Sequence, residues 1–117
     1  MAHSIHSEPH PAGGVIVVAG EADASAAAAL EDALRAAFVE ALAHDSDRTI
    51  IVDLSAASFI DSRMIGVLVT WAEQLEARRW RMPIVCSDPN MLRVFDVIGL
   101  QTTFEFFESR EDAASST

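Results

Sequence analysis

The sequence predicts an α/β fold in one domain, with a mixed and mostly parallel sheet of four to five strands flanked by about four helices. Short apolar runs rich in β-branched residues alternate with segments whose apolar residues recur every three or four positions. Because consecutive parallel strands need crossover connections, this alternation places helices against the sheet. The chain has 117 residues and is 50% hydrophobic, which suits a single folded domain and excludes wholesale disorder.

The first strand and the first helix follow a polar N-terminal segment. Residues 1–12 are expected to form a flexible arm or a short edge strand around Ile5. The apolar run Val15–Ala19 predicts a buried strand. A helix is expected from Ser25 to about Ala43, with Asp23 or Ser25 as its cap. The apolar residues on its inner face, spaced four apart, are Leu30, Leu34, Phe38 and Leu42.

The middle of the chain repeats this strand-and-helix pattern. The run Thr49–Leu54 does not alternate with polar residues, which is typical of a strand covered on both faces. We expect a loop over Ser55–Asp61 and a helix from Ser62 to Arg78. The apolar run Met82–Cys86 predicts a further strand.

The C-terminal third predicts a short helix, a last strand and a terminal helix. Asp88 followed by Pro89 is typical of a helix start, and Phe95 then faces inward. The segment Thr103–Phe107 predicts a strand. The segment from Ser109 resembles a capping box that opens a short terminal helix. The domain therefore spans residues 13–114, and residues 115–117 are expected to form a tail.

The charge and the residue types exclude several classes of function. The formal net charge is −10, which disfavours nucleic acid and anionic membranes as partners because both bind clustered cations. All eight basic residues are arginine, so Schiff-base chemistry and a P-loop lysine are excluded. Cys86 is the only cysteine, so no internal disulfide can form, and a reducing compartment is expected.

The sequence shows no segment expected to enter a membrane. No apolar run approaches the roughly 20 residues that a membrane span requires. Residues 1–11 lack the basic and apolar regions of a secretory signal. We therefore expect a soluble protein located in the cytoplasm.

The most distinctive local feature is the segment Phe59–Ser62, in which apolar residues are followed by an acid and a hydroxyl at a predicted helix start. Backbone N–H groups there are unpaired, and the helix dipole adds partial positive charge. Ser62 can therefore act as a cap, or it can carry a phosphoryl group where negative charge is well tolerated. Arg63 adds a cation next to it. The residues alone leave both alternatives open.

Several motifs, in their order and spacing, resemble the STAS family. The resemblance covers about Gly14–Ala114 and is closest to the stand-alone anti-sigma factor antagonists of that family. Its motifs are Gly20-Glu21-Ala22-Asp23, Ile51-Val52-Asp53-Leu54-Ser55, Phe59-Ile60-Asp61-Ser62 with Gly66, Pro89 with Val94-Phe95, Ile98-Gly99-Leu100, and Phe104-Glu105-Phe106-Phe107.

This resemblance implies a function and a set of site residues. Members of the family have a mixed sheet flanked by helices, and they bind an anti-sigma factor so that a sigma factor is released. The partner is itself a serine kinase, and a phosphatase reverses the modification. Carried over, Ser62 is the phosphoacceptor, Asp61 orients it or helps position the kinase, and Asp23 faces the same partner from the neighbouring turn. No cofactor, metal or catalytic activity is implied, and a monomer or weak dimer is expected.

Two residues depart from the family pattern, which usually has a small hydroxyl residue and a glycine after the serine. Here Arg63 and Met64 occupy those positions, so both are expected in the partner contact. The larger side chains could change the choice of partner or block docking, or Arg63 could pair with a phosphoserine. The alternative function is therefore a STAS-like interaction module of a transport or signalling complex that has no switch.

Other candidate sites receive less support. His3, His6 and His10 do not have the spacing of an ordinary zinc site, and a solvated tail is the simpler interpretation. Cys86 is expected to be a buried hydrophobe. Asp53 is expected at a strand end, as in a receiver domain, but the lysine of such a site is absent.

Two further positions are interpreted as structural. His44 is expected at the surface near a helix end. Trp71 is expected in the core. Trp80 is expected to be half-exposed among arginines, in a patch that either binds an acidic surface or is simply solvated.

Overall fold

The computed structural model describes residues 3–10, 13–43, 48–100 and 102–115. Within these ranges the chain forms five strands and four α-helices. The strands are β1 (His3–His10), β2 (Gly13–Ala22), β3 (Thr49–Ile60), β4 (Ile84–Val85) and β5 (Phe106–Phe107). The helices are α1 (Ala27–Leu42), α2 (Ser62–Ala77), α3 (Pro89–Val97) and α4 (Arg110–Ser115), and a short 3-10 turn, Ala24–Ala26, precedes α1.

The strands form one mixed sheet in which spatial order equals chain order. β1 pairs antiparallel with β2, and every other neighbouring pair is parallel. Helices α1, α2 and α3 each connect two parallel neighbours, so right-handed crossovers place all three on one face of the sheet. The predicted α/β class is confirmed. Of the two alternatives for the N-terminal segment, the edge strand is the one observed.

The two faces of the sheet bury separate apolar clusters, because successive side chains of a strand point in opposite directions. Ile16 and Val18 face the larger cluster beneath α1, α2 and α3. Val15 and Ile51 face a smaller cluster that includes Ala113 of α4. The prediction that the central strands are covered on both faces is confirmed.

Strand β3 is longer than predicted. The loop expected over Ser55–Asp61 is wrong, since the strand continues to Ile60. Val17 pairs with Asp53, whereas Ala19 pairs with Ala56, so β3 contains one more residue than β2 at this point. A second shift of the same kind follows a few residues later. Such bulges break the apolar pattern of a strand, which is why the pattern resembles a loop.

The strands β4 and β5 are shorter than predicted. Only Ile84 and Val85 of the run Met82–Cys86 join the sheet, because Pro83 has no N–H to donate. Only Phe106 and Phe107 form β5. Helix α4 begins as predicted, with the Asp112 N–H donating to the Ser109 hydroxyl at 3.1 Å. Residues 116–117 of the predicted tail lie outside the described residues, and Ser115 ends α4.

An aromatic cluster joins α1 to the C-terminal half of α2. The ring centroids of Phe38 and Trp71 are 5.8 Å apart, and those of Phe38 and Trp80 are 5.0 Å apart. Trp71 lies in the core as predicted. The expectation that Trp80 is half-exposed is wrong, since only 6% of it is exposed. Leu42 was expected on the inner face of α1 but is 48% exposed, because it is the last residue of that helix.

Candidate functional site

The candidate site lies at the sheet edge where β2 and β3 end. Ala22 and Ile60 are the last paired residues of these parallel strands, and Asp23 and Asp61 follow them directly. The backbone N–H of Asp61 donates to the carbonyl oxygen of Ala22 at 2.9 Å. The two turns are therefore joined by a backbone hydrogen bond. The structure thus places Asp23 and Asp61 in adjacent turns at one edge of the sheet.

Asp61, rather than Ser62, caps helix α2. Asp61 has an extended backbone, and its carboxylate accepts the backbone N–H of Arg63 at 2.8 Å. Ser62 is the first helical residue and is exposed. Its hydroxyl makes no hydrogen bond to any other residue that the structure describes. The hydroxyl therefore lies at the positive end of the helix dipole without a structural role of its own.

Asp23 occupies the neighbouring turn and caps the 3-10 turn before α1. Its carboxylate accepts the backbone N–H of Ser25 at 3.0 Å and the Ser25 hydroxyl at 2.5 Å. The hydrogen bond from the Ser25 hydroxyl lowers the pKa of Asp23. Asp23 is exposed, so it presents a carboxylate that stays ionised at neutral pH to the same side of the sheet edge as Asp61.

The two residues that depart from the family pattern behave differently. Arg63 is exposed at the second position of α2. The expectation that Met64 contacts a partner is wrong, because its side chain is fully buried in the larger core. Helical spacing explains this position, since Met64 lies four residues before Leu68 and both point towards the sheet. Met64 therefore packs α2 against the sheet.

Phe59 is a residue that the sequence interpretation missed. It lies near the end of β3, three residues before Ser62, and is 47% exposed. The only signal in the sequence is a single aromatic residue two positions before Asp61, and assigning that segment to a loop hid its position in a strand. A large exposed ring near the end of a strand is the kind of residue that is enriched in protein interfaces.

We call the group formed by Asp23, Phe59, Asp61, Ser62 and Arg63 the helix-start surface. It offers an exposed hydroxyl, two carboxylates, one guanidinium and one aromatic ring. No group of three His, Cys, Asp or Glu side chains is placed to hold a metal ion among the residues that the structure describes. These groups can form hydrogen bonds and ion pairs with another molecule, and an exposed serine hydroxyl is chemically able to accept a phosphoryl group.

The other candidates have structural positions. Asp53 does not end a strand, because β3 continues past it. Burial opposes ionisation of Asp53, but hydrogen bonds from Ser55 and Arg110 outweigh it and lower the pKa of its carboxyl. Cys86 is buried, which raises the pKa of its thiol. His6 lies 2.9 Å from Glu8, and His44 lies outside the described residues.

Comparison with known proteins identifies the family. A family described as "Mlab, STAS domain" matches residues 5–107 of the chain. The chain belongs to the STAS domain family. A curated STAS relative, the anti-sigma-F factor antagonist RsfB of Mycobacterium tuberculosis, is 30% identical over 99 residues, which cover 85% of this chain and 76% of RsfB.

Solved structures of STAS proteins have the same fold. The crystal structure of an anti-sigma factor antagonist from Mycobacterium paratuberculosis has a TM-score of 0.78 and 29% identity, covering 96% of this chain and 91% of that one. The Bacillus cell fate determinant SpoIIAA in its phosphorylated form has a TM-score of 0.69 and 25% identity, covering 94% and 96%. None of the helices described for this STAS domain is long and apolar enough to cross a membrane.

Proposed function

We propose that this STAS domain is an anti-sigma factor antagonist that docks on its partner through the helix-start surface. The observation that carries the proposal is the exposed Ser62 hydroxyl, which has no hydrogen-bond partner among the residues that the structure describes and follows the capping residue Asp61. The proteins to which the chain is most usefully compared, RsfB and the Mycobacterium paratuberculosis structure, are both named as antagonists of this kind. The protein acts in the cytoplasm, as a monomer or weak dimer.

The partner is an anti-sigma factor with serine kinase activity, and binding it releases the sigma factor. The two carboxylates of Asp23 and Asp61 favour a partner surface that carries basic residues. Phe59, exposed near the end of β3, supplies apolar area for the same partner. Arg63 lies at the edge of the contact and narrows the range of partners that fit.

Phosphorylation of Ser62 switches the protein off. The modification adds about 1.5 to 2 negative charges at pH 7 to a surface that already has two carboxylates. A partner group that packs against the hydroxyl then lies against a dianion whose charge it does not neutralise. A loss of about 1.4 kcal/mol is a tenfold loss of affinity, so a few unfavourable contacts are enough. A phosphatase restores the active form.

Two variants at Ser62 test the switch. Ser62→Asp is expected to weaken binding to the host anti-sigma factor at least tenfold, whereas Ser62→Ala keeps binding and accepts no phosphoryl group from that kinase and ATP. Ser58 is an exposed serine in β3, so Ser58→Asp and Ser58→Ala are matched controls. Isothermal titration and intact-mass measurement provide the readouts. Unchanged affinity in Ser62→Asp, or a phosphoryl group retained in Ser62→Ala, contradicts the proposal.

The alternative is a STAS module that binds its partner without a switch. Arg63 favours it, because a long exposed cation stands beside the hydroxyl where the family usually has a small residue. In that case the chain binds an assembly at the helix-start surface, and no host kinase modifies Ser62. Purification from the host with mass spectrometry separates the two functions, since it reports both the bound partner and the modification.

A further inference from the structure

A cleft lies between α1 and α2 at the opposite end of α2 from Ser62. Its volume is about 290 Å³. Helix α2 has 16 residues, so the two ends are separated by about 24 Å. The residues that line the cleft are Phe38, Trp71, Gln74, Leu75, Ala77 and Arg78. The cleft is therefore separate from the helix-start surface and mostly apolar.

Exposed apolar residues follow Phe38 on α1, beyond the lining of the cleft. Val39 is 60% exposed and Leu42, four residues after Phe38, is 48% exposed. An apolar groove between two helices, with exposed apolar residues along its edge, has the shape that accepts an amphipathic segment of another protein.

Cations surround the groove in a chain that is otherwise strongly acidic. The Arg78 guanidinium stands over the Phe38 ring, 4.9 Å from its centroid. Arg79 follows it and is exposed. Arg35, one turn before Val39, forms an ion pair with Glu31 at 2.5 Å. Neither Arg78 nor Arg79 forms an ion pair with a described residue.

The carboxylate that contacts the Trp71 wall of the groove, Glu31, is already paired with a cation. The Glu31 carboxylate accepts the indole N–H of Trp71 at 2.8 Å as well as the Arg35 guanidinium. Its negative charge therefore does not cancel those of Arg78 and Arg79. Exposed glutamates also lie on this stretch of α2, at Glu73 and Glu76, but neither forms an ion pair with Arg78 or Arg79 among the described residues. The two guanidinium groups are therefore available to carboxylates of a partner.

Arg79 is held in a backbone conformation that favours glycine. Its φ is +63°, and it is the only non-glycine residue with a positive φ among those the structure describes. The N–H of Trp80 donates to the backbone carbonyl of Leu75 at 2.8 Å, and the N–H of Arg79 donates to the backbone carbonyl of Glu76 at 2.9 Å. This is the hydrogen-bond pattern of a helix end closed by glycine. An arginine at this position therefore carries a steric strain that glycine would not have.

We propose that the groove between α1 and α2 is a second docking site, and that its occupant is an acidic amphipathic segment of a partner protein. An apolar side chain of that segment fills the cleft over Phe38 and Trp71, and its carboxylates pair with Arg78 and Arg79. The groove begins at Trp71, about 13 Å along α2 from Ser62, and reaches Arg78 at about 24 Å, so it stays open when the helix-start surface is occupied or phosphorylated. The domain can then hold two proteins at once.

Two synthetic peptides provide a direct test with the full chain. One is a short amphipathic helix with leucine on one face and glutamate on the other, and the second replaces every glutamate by lysine. Trp71 and Trp80 are the only tryptophans, so two indole N–H signals report on the groove by NMR. The acidic peptide is expected to shift the Trp71 signal in a saturable way, and the basic peptide is not.

Variants identify the contacts that matter. Arg78→Gln is expected to weaken binding of the acidic peptide at least fivefold, whereas Arg93→Gln, at an exposed arginine on α3, leaves it unchanged. Ser62→Asp also leaves it unchanged, so this result does not depend on the proposed switch. Equal binding of both peptides, absence of any shift, or equal effects of Arg78→Gln and Arg93→Gln overturns the proposal. Binding to phosphatidylglycerol vesicles in place of the acidic peptide overturns it as well.

Discussion

The backbone N–H of Asp61 donates to the carbonyl oxygen of Ala22 across 2.9 Å, and this bond joins the two turns that carry the helix-start surface. Asp23 follows Ala22, and Ser62 follows Asp61. The relative position of the two residues is therefore set by neighbouring strands of the sheet. A surface built in this way is preorganised, which reduces the entropy that a partner must overcome on binding.

The division of roles between Asp61 and Ser62 predicts different effects on stability. Asp61→Ala removes the carboxylate that accepts the Arg63 N–H, so we expect the free energy of unfolding to fall by about 1 kcal/mol. Ser62→Ala removes no hydrogen bond found within the described part of the chain and is expected to change this free energy by less than about 0.5 kcal/mol. Urea denaturation at neutral pH measures both. A loss in Ser62→Ala as large as that in Asp61→Ala would show that the hydroxyl has a capping role.

The order of elements could be predicted from the sequence because it rests on local signals. Apolar runs and helical spacing identify β2, the first half of β3, α1 and α2, and Asp88 with Pro89 identifies the start of α3. The position of Ser62 at a helix start could be predicted for the same reason. These features depend on residues close together in the chain.

The features that could not be predicted depend on contacts between distant residues. The bulges in β3 arise from its pairing with β2, so the exposure of Phe59 was not visible in its own segment. Trp80 is buried because Phe38 covers it, although its neighbours in sequence are arginines. Met64 was assigned to a partner contact from its place in a motif, while the packing of α2 on the sheet directs it inward.

The burial of Met64 predicts that changes there act on stability and leave docking intact. Met64→Ala leaves a cavity in the larger core, so we expect the free energy of unfolding to fall by about 2–5 kcal/mol. Met64→Leu conserves the volume and is expected to cost less than about 1.5 kcal/mol. Binding of the anti-sigma factor by folded Met64→Leu protein should match that of the unchanged chain. A tenfold loss of affinity in this variant would show that Met64 does contribute to partner binding.

The carboxylate of Asp53 predicts how stability depends on pH. The Arg110 Nε donates to it at 2.6 Å and the Ser55 hydroxyl at 2.6 Å, and its pKa lies below 3.8 in the folded state. In the window between the folded and unfolded pKa values the unfolded chain binds more protons. This stabilisation is therefore complete above about pH 5 and is lost as the pH falls through the folded pKa.

Asp53→Asn tests this dependence. The variant is expected to lower the free energy of unfolding by about 1–3 kcal/mol at neutral pH, because Arg110 loses one of its two acidic partners and retains Glu8 at 2.7 Å. It should also flatten the decline of stability below about pH 4. Glu8→Gln is the control for the second carboxylate. If the free energy of unfolding declines as steeply at acidic pH in Asp53→Asn as in the unchanged chain, groups other than Asp53 cause the pH dependence.

Arg63 is expected to lower the second pKa of phosphoserine at position 62, which is about 6 in ordinary surroundings. A cation and a helix start each favour the dianion by about 0.3–1 kcal/mol, and one pKa unit corresponds to about 1.36 kcal/mol. Replacing Arg63 by Ser should therefore raise this pKa by about 0.2–0.7 units. A phosphorus NMR titration of the phosphorylated chain measures it, with Arg93→Ser as control. An unchanged pKa would show that Arg63 points away from the modification.

Arg79→Gly separates a structural role of this residue from a binding role. Glycine adopts positive φ without steric cost, so the substitution is expected to raise the free energy of unfolding by about 0.5–1 kcal/mol. The same variant loses a guanidinium beside Arg78 and should bind the acidic peptide two- to fivefold more weakly. Thermal denaturation and the peptide titration are done on the same preparation, with Arg79→Ala as the variant that loses the charge but keeps the strain. Weaker binding in both variants, with higher stability in Arg79→Gly alone, shows that the left-handed arginine serves the groove. Unchanged peptide binding in both variants would show that the positive φ of Arg79 does not serve the groove, because glycine would then stabilise the domain without weakening binding.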